Sequence, residues 1–432
     1  EEVTPVDPPE LSAVETWLHP DFPTLVYAGW TQSTAATVRV EYAFDPGDWR
    51  SSPPRELEAG AHEEVMLGVP YGTPVTWRIV AEGDGGIATT DDAVATTGDS
   101  PPIPTVALSV EDESRIDPDA DWFYLSVTSD DFGDPWWVML VDRQGRPVWS
   151  TQSDPQRMSL HPRVSADGTA LLVDQNNYWS MFFDVGAQGT VDKIRLDGTP
   201  VHTWATPGLH HDYTELPDGT LAWGGWDEDY EESLQLVHLD GESEVLWACR
   251  PWLDTLGVGD DCLSNTVNYR EDTDTFLFSF FTIDTIVEVD HATGAALRWF
   301  GHVPGAWAFD PPESAFWYQH GGHVTPEGTL LLSAHSQWFS TEIVVREYEF
   351  DEPAQVLHEV FSFGVGDGVS GSDMGESHRL GNGNTLHNAG TNPLLREITP
   401  EGEVVWQLSW DTETLGRSTP VPDLYALMPD RP

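Results

Sequence analysis

Four histidines of this sequence recur at nearly the same distance from a tight turn. His211 and His320 each lie eight residues before a turn glycine. His161 lies seven residues before another such glycine, and His378 lies six residues before Asn384. A neutral imidazole is a nucleophile and a general base near neutral pH, because its ordinary pKa of about 6.5 leaves one ring nitrogen unprotonated. The recurrence therefore predicts imidazole chemistry on a bound molecule, and the alternative for any single histidine is a structural hydrogen bond to an Asp in a neighbouring turn.

Each of these histidines opens a repeated unit of sequence. A strand enters an acid-Gly turn, an apolar strand leaves it, and a later strand ends in a second acid-Gly turn before a tryptophan. The six copies span residues 122–149, 161–204, 210–247, 265–299, 319–348 and 378–406. Units of roughly 40–60 residues with four short strands are typical of a six-bladed β-propeller, whose innermost strands line a central channel. We therefore expect the histidines to converge at one end of that channel, which a solenoid would not require.

The first hundred residues have a different organisation. Short alternating strands separated by Gly, Pro and Asp predict a β-sandwich. The stretch GTPVTWR, residues 72–78, resembles a fibronectin type III or immunoglobulin-like module. The predicted fold is therefore all-β, with a sandwich over residues 1–100, a Pro- and Asp-rich linker over 101–120 and the propeller over 121–432.

Several other side chains lie near the same predicted channel end. We expect contacts to the substrate from His161, His210, His323, Arg379, Tyr213 and Asn265. Four tryptophans are candidates for stacking on an aromatic ring, although packing between blades is an alternative for them: Trp179, Trp223, Trp226 and Trp317. Neighbouring residues of a strand point to opposite faces, so His210 and His211 are not expected to reach one ion together.

The charge of the chain excludes some partners. It carries 73 acidic against 19 basic residues, a net charge of −54. A polyanion cannot replace the counterions of nucleic acid or of an anionic membrane. No run of 18 apolar residues is present, so no membrane insertion is expected. The even spread of carboxylates favours a salt-adapted bacterium, and the acidic, proline-bearing start favours an exported protein.

The two cysteines, Cys249 and Cys262, are 13 positions apart. In an exported protein this spacing favours a disulfide, whereas a cytosolic chain would keep two buried thiols. The C-x-x-C spacing of a zinc or redox pair is absent, so neither cysteine is assigned a catalytic role.

Three motifs together resemble one family. They are HHDYTELPDGT at residues 210–220, QHGGHVTPEGT at 319–329 and HRLGNGNTL at 378–386. Over roughly residues 120–410 the chain resembles the bacterial aryl-sulfate sulfotransferases. The resemblance implies a six-bladed propeller behind a β-sandwich, export, and transfer of sulfate between phenols through a sulfated histidine, without a 3′-phosphoadenosine donor.

The resemblance also implies roles for individual residues. His378 matches the nucleophile best, and His211 and His320 match the two supporting histidines. The family has His-Asp where this chain has His378-Arg379, and the family's arginine has no clear counterpart. The implied partner is a small aromatic or sulfated molecule, and no cofactor is required.

Two other classes of function stay open. A ring of imidazoles also suits a transition metal, with His320, His323, His211 and His378 as ligands of an oxygenase, lyase or hydrolase. Asp117, with the acids two and four residues later, is a candidate for calcium but lacks the glycine and distal glutamate of a complete loop. The second class is a secreted, non-catalytic binding propeller. The sequence predicts no oligomeric state.

Overall fold

The computed structural model describes residues 7–129, 135–176, 189–227 and 231–431. Its N-terminal part consists of two antiparallel sheets, as the sequence predicts for a β-sandwich. The first sheet has the order β1-β2-β6 and comprises Leu11–Leu18, Val26–Gln32 and Gly60–Met66. The second has the path β4-β3-β7-β8, with β5 on β3 and β9 on β7. Its strands are β3 (Ala36–Ala43), β4 (Trp49–Ser51), β5 (Arg55–Leu57), β7 (Pro74–Gly83), β8 (Gly86–Thr89) and β9 (Ala93–Thr96).

The alternation of residue types explains this packing. In β3 every second side chain is buried, and Val40 and Tyr42 lie beside their cross-strand partners Ile79 and Trp77 of β7 on the core face of the same sheet. Because side chains of a strand alternate between faces, the remaining positions keep their polar groups near solvent.

Within the described residues, six further sheets form the blades of a propeller, confirming the predicted fold class. Blade 1 contains β14 (Arg163–Val164), β15 (Leu171–Gln175), β16 (Thr190–Ile194) and β17 (Pro200–Ala205). Blade 2 contains β18 (Leu209–Glu215), β19 (Leu221–Trp226), β20 (Glu232–Val237) and β21 (Ser243–Ala248). Blade 3 contains β22 (Ser264–Arg270), β23 (Thr275–Phe280), β24 (Thr285–Asp290) and β25 (Ala296–Gly301).

Blades 4 and 5 each carry a fifth, outer strand. Blade 4 contains β27 (Trp317–Val324), β28 (Leu330–His335), β29 (Ile343–Asp351), β30 (Val356–Phe363) and, at its edge, β26 (Ala308–Asp310). Blade 5 contains β31 (Glu376–Arg379), β32 (Thr385–Asn388), β33 (Leu394–Ile398), β34 (Val404–Trp410) and β10 (Val106–Val110). The strand β10 lies in the segment 101–120, which the sequence predicts to be a linker. That segment therefore also extends a blade.

Blade 6 joins the two ends of the propeller sequence. Its innermost strand is β35 (Leu415–Val421), which pairs with β11 (Trp122–Thr128), followed by β12 (Trp136–Asp142) and β13 (Pro147–Gln152). The last strand of the chain thus closes the ring. This is why the first sequence repeat shows no clear opening hairpin.

The recurring tryptophans connect neighbouring blades. The indole N–H of Trp149 in blade 6 donates to the carbonyl of Leu196 beside the outer turn of blade 1, at 2.7 Å. Trp406 in blade 5 donates in the same way to Arg143 in blade 6, at 2.8 Å. A buried indole needs such a partner, so Trp149 and Trp406 each hold two neighbouring blades together.

The sandwich packs on blade 6. Leu25, Tyr27 and Val65 share one apolar cluster with Trp149 and the C-terminal Leu427. Burial of side chains from both parts in one core favours a fixed joint between them.

The helix α1 (Cys249–Leu256) lies between blades 2 and 3. The predicted disulfide is confirmed, since Cys249 is bonded to Cys262. Among the described residues, no helix is long and apolar enough to cross a membrane. Short 3-10 turns complete the structure at Glu113–Arg115, Phe281–Ile283, Pro312–Ser314 and Tyr425–Leu427.

Candidate active site

The guanidinium of Arg417 lies across the centre of the propeller, where the inner strands of the blades meet; this region is the hub. Arg417 is on β35 of blade 6 and is 1% exposed. Its Nη2 donates to the carbonyl of Asn265 at 3.0 Å and to Oγ1 of Thr266 at 2.9 Å, both in blade 3. Its Nη1 donates to the carbonyl of Gly375 before blade 5, at 3.0 Å. One arginine thus connects three inner strands at the hub.

Gly321 makes room for this arginine. A Cβ at Gly321 would lie 2.4 Å from Nη1 of Arg417, and the residue has a φ of +62°. Glycine adopts this left-handed conformation without a side-chain clash. The first glycine of the Gly-Gly pair inside the motif of residues 319–329 is therefore explained by the passage of the Arg417 side chain, whereas a Cβ at the second, Gly322, would meet Ile286 at 2.8 Å.

His161 is a support for Arg417. The Nε of Arg417 donates to Nε2 of His161 at 3.2 Å, so Nε2 holds the lone pair and Nδ1 holds the proton. Nδ1 lies 3.1 Å from Oδ1 of Asp212, whose two carboxylate oxygens each accept a hydrogen bond from Arg163. Burial lowers the pKa of His161 to about 4; the charge of Asp212 opposes this effect and the charge of Arg417 adds to it. The structure therefore places His161 in the hub, with Nε2 bonded to Arg417 and Nδ1 beside the carboxylate of Asp212.

The upper level of the hub is formed by His211, His320, Phe281 and Tyr318. The ring of Phe281 lies between the two imidazoles, with centroid distances of 5.8 Å to His211 and 6.0 Å to His320. Tyr318 meets the same phenyl ring edge-on at 5.0 Å and stacks on His335 at 4.7 Å. The structure therefore brings together two of the three predicted catalytic histidines beside aromatic rings.

Both imidazoles are neutral at pH 7. Burial holds the pKa of His211 well below its usual value, and a proton on His210, His161 or His320, as well as the charge of Arg417, lowers it further. Burial, followed by the charge of Arg417, does the same for the pKa of His320. Nδ1 of His320 donates to the carbonyl of Tyr318 at 3.0 Å, because a carbonyl only accepts. Its Nε2 therefore carries an unshared pair.

Irregular pairing brings the rings of His210 and His211 together. Leu209 pairs with Gly225 and Tyr213 with Trp223, so three residues of β18 lie opposite the single residue Gly224 of β19. This bulge breaks the alternation of side chains, and the two Nδ1 atoms lie 2.6 Å apart. The expectation that the two histidines point to opposite faces is therefore wrong.

His378 lies at a lower level of the hub than His320. The turn glycine of blade 5 is Gly383, whose N–H donates to the carbonyl of Leu380 as the N–H of Gly328 donates to Thr325. Counted from Gly383, His378 is five residues back, like His323 from Gly328, rather than eight. Cross-strand pairing agrees, because His378 pairs with Leu386 as His323 pairs with Leu331.

The rings of His323 and His378 lie 5.6 Å apart. On the neighbouring strand β28 the partners of His320 and His323, Ser333 and Leu331, are two residues apart, so a rise of about 7 Å separates the two levels. Nε2 of His378 is 3.2 Å from Oε1 of Glu376, and Nδ1 of His323 donates to the carbonyl of Gly321 at 3.1 Å. Burial, followed by the charge of His378, lowers the pKa of His323 to about 4. The structure does not bring His378 to the same level as His211 and His320.

Three predicted substrate contacts lie away from the upper level. Arg379 is between blades, where it donates to Glu347 and, at 2.8 Å, to the carbonyl of Gly383. Tyr213 is fully buried in an apolar cluster of blades 1 and 2. Asn265 is fully buried and donates to the carbonyl of Gln319 at 2.7 Å, which fastens blade 3 to blade 4.

The four candidate tryptophans have different surroundings. Trp223 is fully buried, Trp226 lies 6.0 Å from His210, and Trp317 stacks on His302 at 3.7 Å. Trp179 lies outside the described residues.

In the described parts of the chain, no group of three or more His, Cys, Asp or Glu side chains has an arrangement that could hold a metal ion. Asp117, the first acid of the candidate calcium turn, is 2% exposed and accepts hydrogen bonds from the N–H groups of Asp119 and Asn382. Its carboxylate fastens the segment before blade 6 to the turn of blade 5.

Two parts of the hub escaped the sequence analysis. Arg417 lies in the C-terminal strand, outside every recognised repeat, and the missing first hairpin of the initial copy was the signal for it. Glu232, which accepts a hydrogen bond from Nε2 of His210 at 2.9 Å, lies on the third strand of blade 2. No motif marks that position.

Known proteins resemble this chain only in general form. No protein-family model and no curated protein matches it. Among solved structures, a candidate 6-phosphogluconolactonase from Bacteroides fragilis has 11% identity and a TM-score of 0.40, covering 89% of this chain and 98% of that one. A protein from Lactobacillus plantarum has 13% identity and a TM-score of 0.41, covering 89% and 99%. A variant of the Synechocystis apocarotenoid oxygenase has 10% identity and a TM-score of 0.37, covering 96% of each chain.

At such low TM-scores these likenesses carry no argument about activity. The similarity to arylsulfotransferases rests on the sequence motifs, and the roles assigned from it stay predictions. The same holds for the fibronectin type III module.

Proposed function

We propose that the chain is an enzyme that transfers a sulfuryl group between phenols at the upper level of the hub. The supporting observation is the pair of neutral imidazoles, His211 and His320, that flank Phe281 under the influence of the Arg417 charge. A neutral imidazole attacks readily, and an adjacent fixed cation stabilises the charge that develops on the sulfuryl oxygens.

The first half-reaction assigns the attack to His211. An unprotonated ring nitrogen bonds to the sulfur of an aryl sulfate, the S–O bond to the aryl group breaks, and the phenolate leaves to take a proton from water. The aryl group stacks against Phe281 and Tyr318, whose ring faces are half-buried. His211 then carries the sulfuryl group as an N-sulfo imidazolium.

The second half-reaction assigns the base to His320. The acceptor phenol gives its proton to Nε2 of His320, and the phenol oxygen attacks the sulfur. The N–S bond breaks, His211 returns to its neutral form, and His320 releases the proton to water. No metal ion or diffusible cofactor is needed to balance either step.

This proposal departs from the family resemblance in the choice of nucleophile. His378 is about 7 Å further along the channel and lies against Glu376. His211 instead lies beside the phenyl ring and the second imidazole. The sequence-based assignment and the geometry-based assignment therefore predict different inactive variants.

The test is turnover of 4-nitrophenyl sulfate with phenol as acceptor, measured from the absorbance of 4-nitrophenolate. We expect His211→Ala and His320→Ala each to lose on the order of 10²-fold or more in kcat. His378→Ala is expected to stay within several-fold of the wild type. His358→Ala is the matched control, since this histidine is on the outer strand of blade 4 and pairs with Asp310.

Three results would overturn the proposal. They are a wild type that turns over no aryl sulfate at any salt concentration, an inactive His378→Ala beside an active His211→Ala, and stoichiometric binding of the aryl sulfate without turnover. The last result would identify a ligand-binding propeller.

A further inference from the structure

A continuous line of hydrogen bonds runs from His211 to a buried carboxylate. Nδ1 of His211 is 2.6 Å from Nδ1 of His210, and Nε2 of His210 is 2.9 Å from Oε2 of Glu232. Ser264 donates its hydroxyl to the other carboxylate oxygen. His210 is 1% exposed and Glu232 is 2% exposed, so water does not compete for these bonds.

When His210 is neutral, the carboxylate at the end of this line fixes the direction of both bonds between the three side chains. A carboxylate only accepts, so the proton on Nε2 of His210 points to Glu232. Nδ1 of a neutral His210 is then the acceptor, and Nδ1 of His211 must carry a proton to donate to it. The remaining nitrogen of His211, Nε2, is left with the unshared pair.

The geometry points to Glu232 as a positioning residue that, through His210, holds His211 in the tautomer with its lone pair on Nε2. This inference rests on the proposed function for its consequence, because Nε2 is then the atom that attacks sulfur. As the N-sulfo imidazolium forms, positive charge develops on the ring of His211, which is hydrogen-bonded through His210 to the carboxylate of Glu232. A buried anion in hydrogen-bond contact stabilises such a cation.

Among the described residues, no carboxylate is hydrogen-bonded to His320, directly or through another imidazole. Its Nδ1 donates to a backbone carbonyl, which has no charge to offset a cation on the ring. Two imidazoles of similar burial therefore have different abilities to carry a positive charge. The asymmetry assigns the covalent role to His211 and the role of transient base to His320.

The first readout is the tautomer of His211 in the full-length protein labelled with 15N-histidine. Long-range 1H–15N spectra distinguish a protonated from an unprotonated ring nitrogen, and comparison with His211→Ala assigns the signals. We expect Nδ1 protonated and Nε2 unprotonated in the wild type. In Glu232→Gln we expect 15N chemical shifts of His211 that are intermediate between those of the two tautomers, because an amide donates as readily as it accepts and no longer favours one of them.

A second pair of variants tests whether the tautomer of His211 depends on the orientation that Glu232 gives to side chain 210, or on the imidazole of His210 itself. In His210→Gln, the Glu232 carboxylate draws the amide N–H₂ toward itself and leaves the amide oxygen to accept from His211. His211 should then keep the wild-type tautomer. In the double variant His210→Gln/Glu232→Gln no carboxylate orients the amide at position 210. The 15N chemical shifts of His211 should then be intermediate between those of the two tautomers, as in Glu232→Gln.

Turnover supplies the second readout. We expect Glu232→Gln to lose on the order of 10²-fold in kcat with little change in KM. Glu288→Gln is the matched control, because Glu288 is also 2% exposed but lies on the third strand of blade 3. Its kcat should match that of the wild type once corrected for the folded fraction.

The two hypotheses fail in different ways. A wild-type His211 protonated on Nε2, or a Glu232→Gln spectrum identical to wild type, overturns the positioning role whatever the activity. The expected tautomers in a protein without aryl-sulfate turnover uphold the positioning role and overturn only the sulfuryl-transfer function.

Discussion

Replacement of Arg417 by alanine should destabilise the propeller more than any surface change. The guanidinium makes four hydrogen bonds, to His161, Gly375, Asn265 and Thr266, and none of these partners is exposed. Removing one member of a buried, charged network costs about 3–5 kcal/mol, because the partners stay buried without compensation. The separate bonds are not additive, so we do not expect four times the value of one.

This free energy converts into a measurable shift of the melting temperature. An unfolding entropy of about 2.1 cal/mol/K per residue over roughly 325 propeller residues gives about 0.7 kcal/mol/K. A loss of about 3–5 kcal/mol then lowers Tm by about 4–7 °C. Differential scanning calorimetry at fixed salt measures the shift directly. Arg39→Ala in the sandwich is the control, since Arg39 is half-exposed and bonds to Glu41, and a surface pair contributes about 0–1 kcal/mol.

A double variant tests whether the cause is the contact across the hub. Gly321→Ala alone should be strongly destabilising, because its Cβ would meet Nη1 of Arg417 at 2.4 Å in a left-handed backbone conformation. With Arg417→Ala that clash is removed, so the two losses should sum to more than the loss in the double variant. A Tm for Arg417→Ala within 1 °C of wild type, or strictly additive losses, would refute the assignment of Arg417 as the hub crosslink.

Two further outcomes follow from buried groups elsewhere. Burial raises the pKa of Asp174 from 3.8 to about 6. The folded state therefore binds more protons than the unfolded state between about pH 4 and pH 6, and this carboxyl makes stability fall as the pH rises through that window. Asp174→Asn should flatten that part of the profile of urea midpoint against pH, and an unchanged slope would contradict the assignment. The Cys249–Cys262 disulfide spans 13 positions, and the Cys249→Ser/Cys262→Ser variant should lose about 3 kcal/mol, or about 4 °C in Tm; a Tm equal to that of wild type under oxidising conditions would disprove this contribution.

The fold was largely predictable because each of its determinants is local in sequence. Acid-Gly turns such as the one at Gly219 end the inner strands, and Trp149 or Trp406 at the end of a repeat fastens one blade to the next. Both signals repeat at the spacing of a blade. Periodicity of this kind survives sequence divergence, since it reflects backbone geometry and core packing in every unit.

The site was only partly predictable because its geometry depends on irregularities. The bulge in β18 brings His210 and His211 into contact, and residue spacing does not reveal it. The level of His378 depends on whether Gly383 or Asn384 is taken as the turn residue, and the hydrogen bond of the turn identifies Gly383. Arg417 and Glu232 come from strands far from the histidines in sequence, so only the three-dimensional pairing of strands reveals them.

The closing position of β35 has a consequence for biosynthesis. As the ribosome advances, every hub histidine emerges before Arg417, which follows His378 by 39 residues. A chain that ends before β35 holds the imidazoles but not the cation that joins their strands. The centre that we propose can therefore assemble only after β35 has been synthesised and has paired with β11.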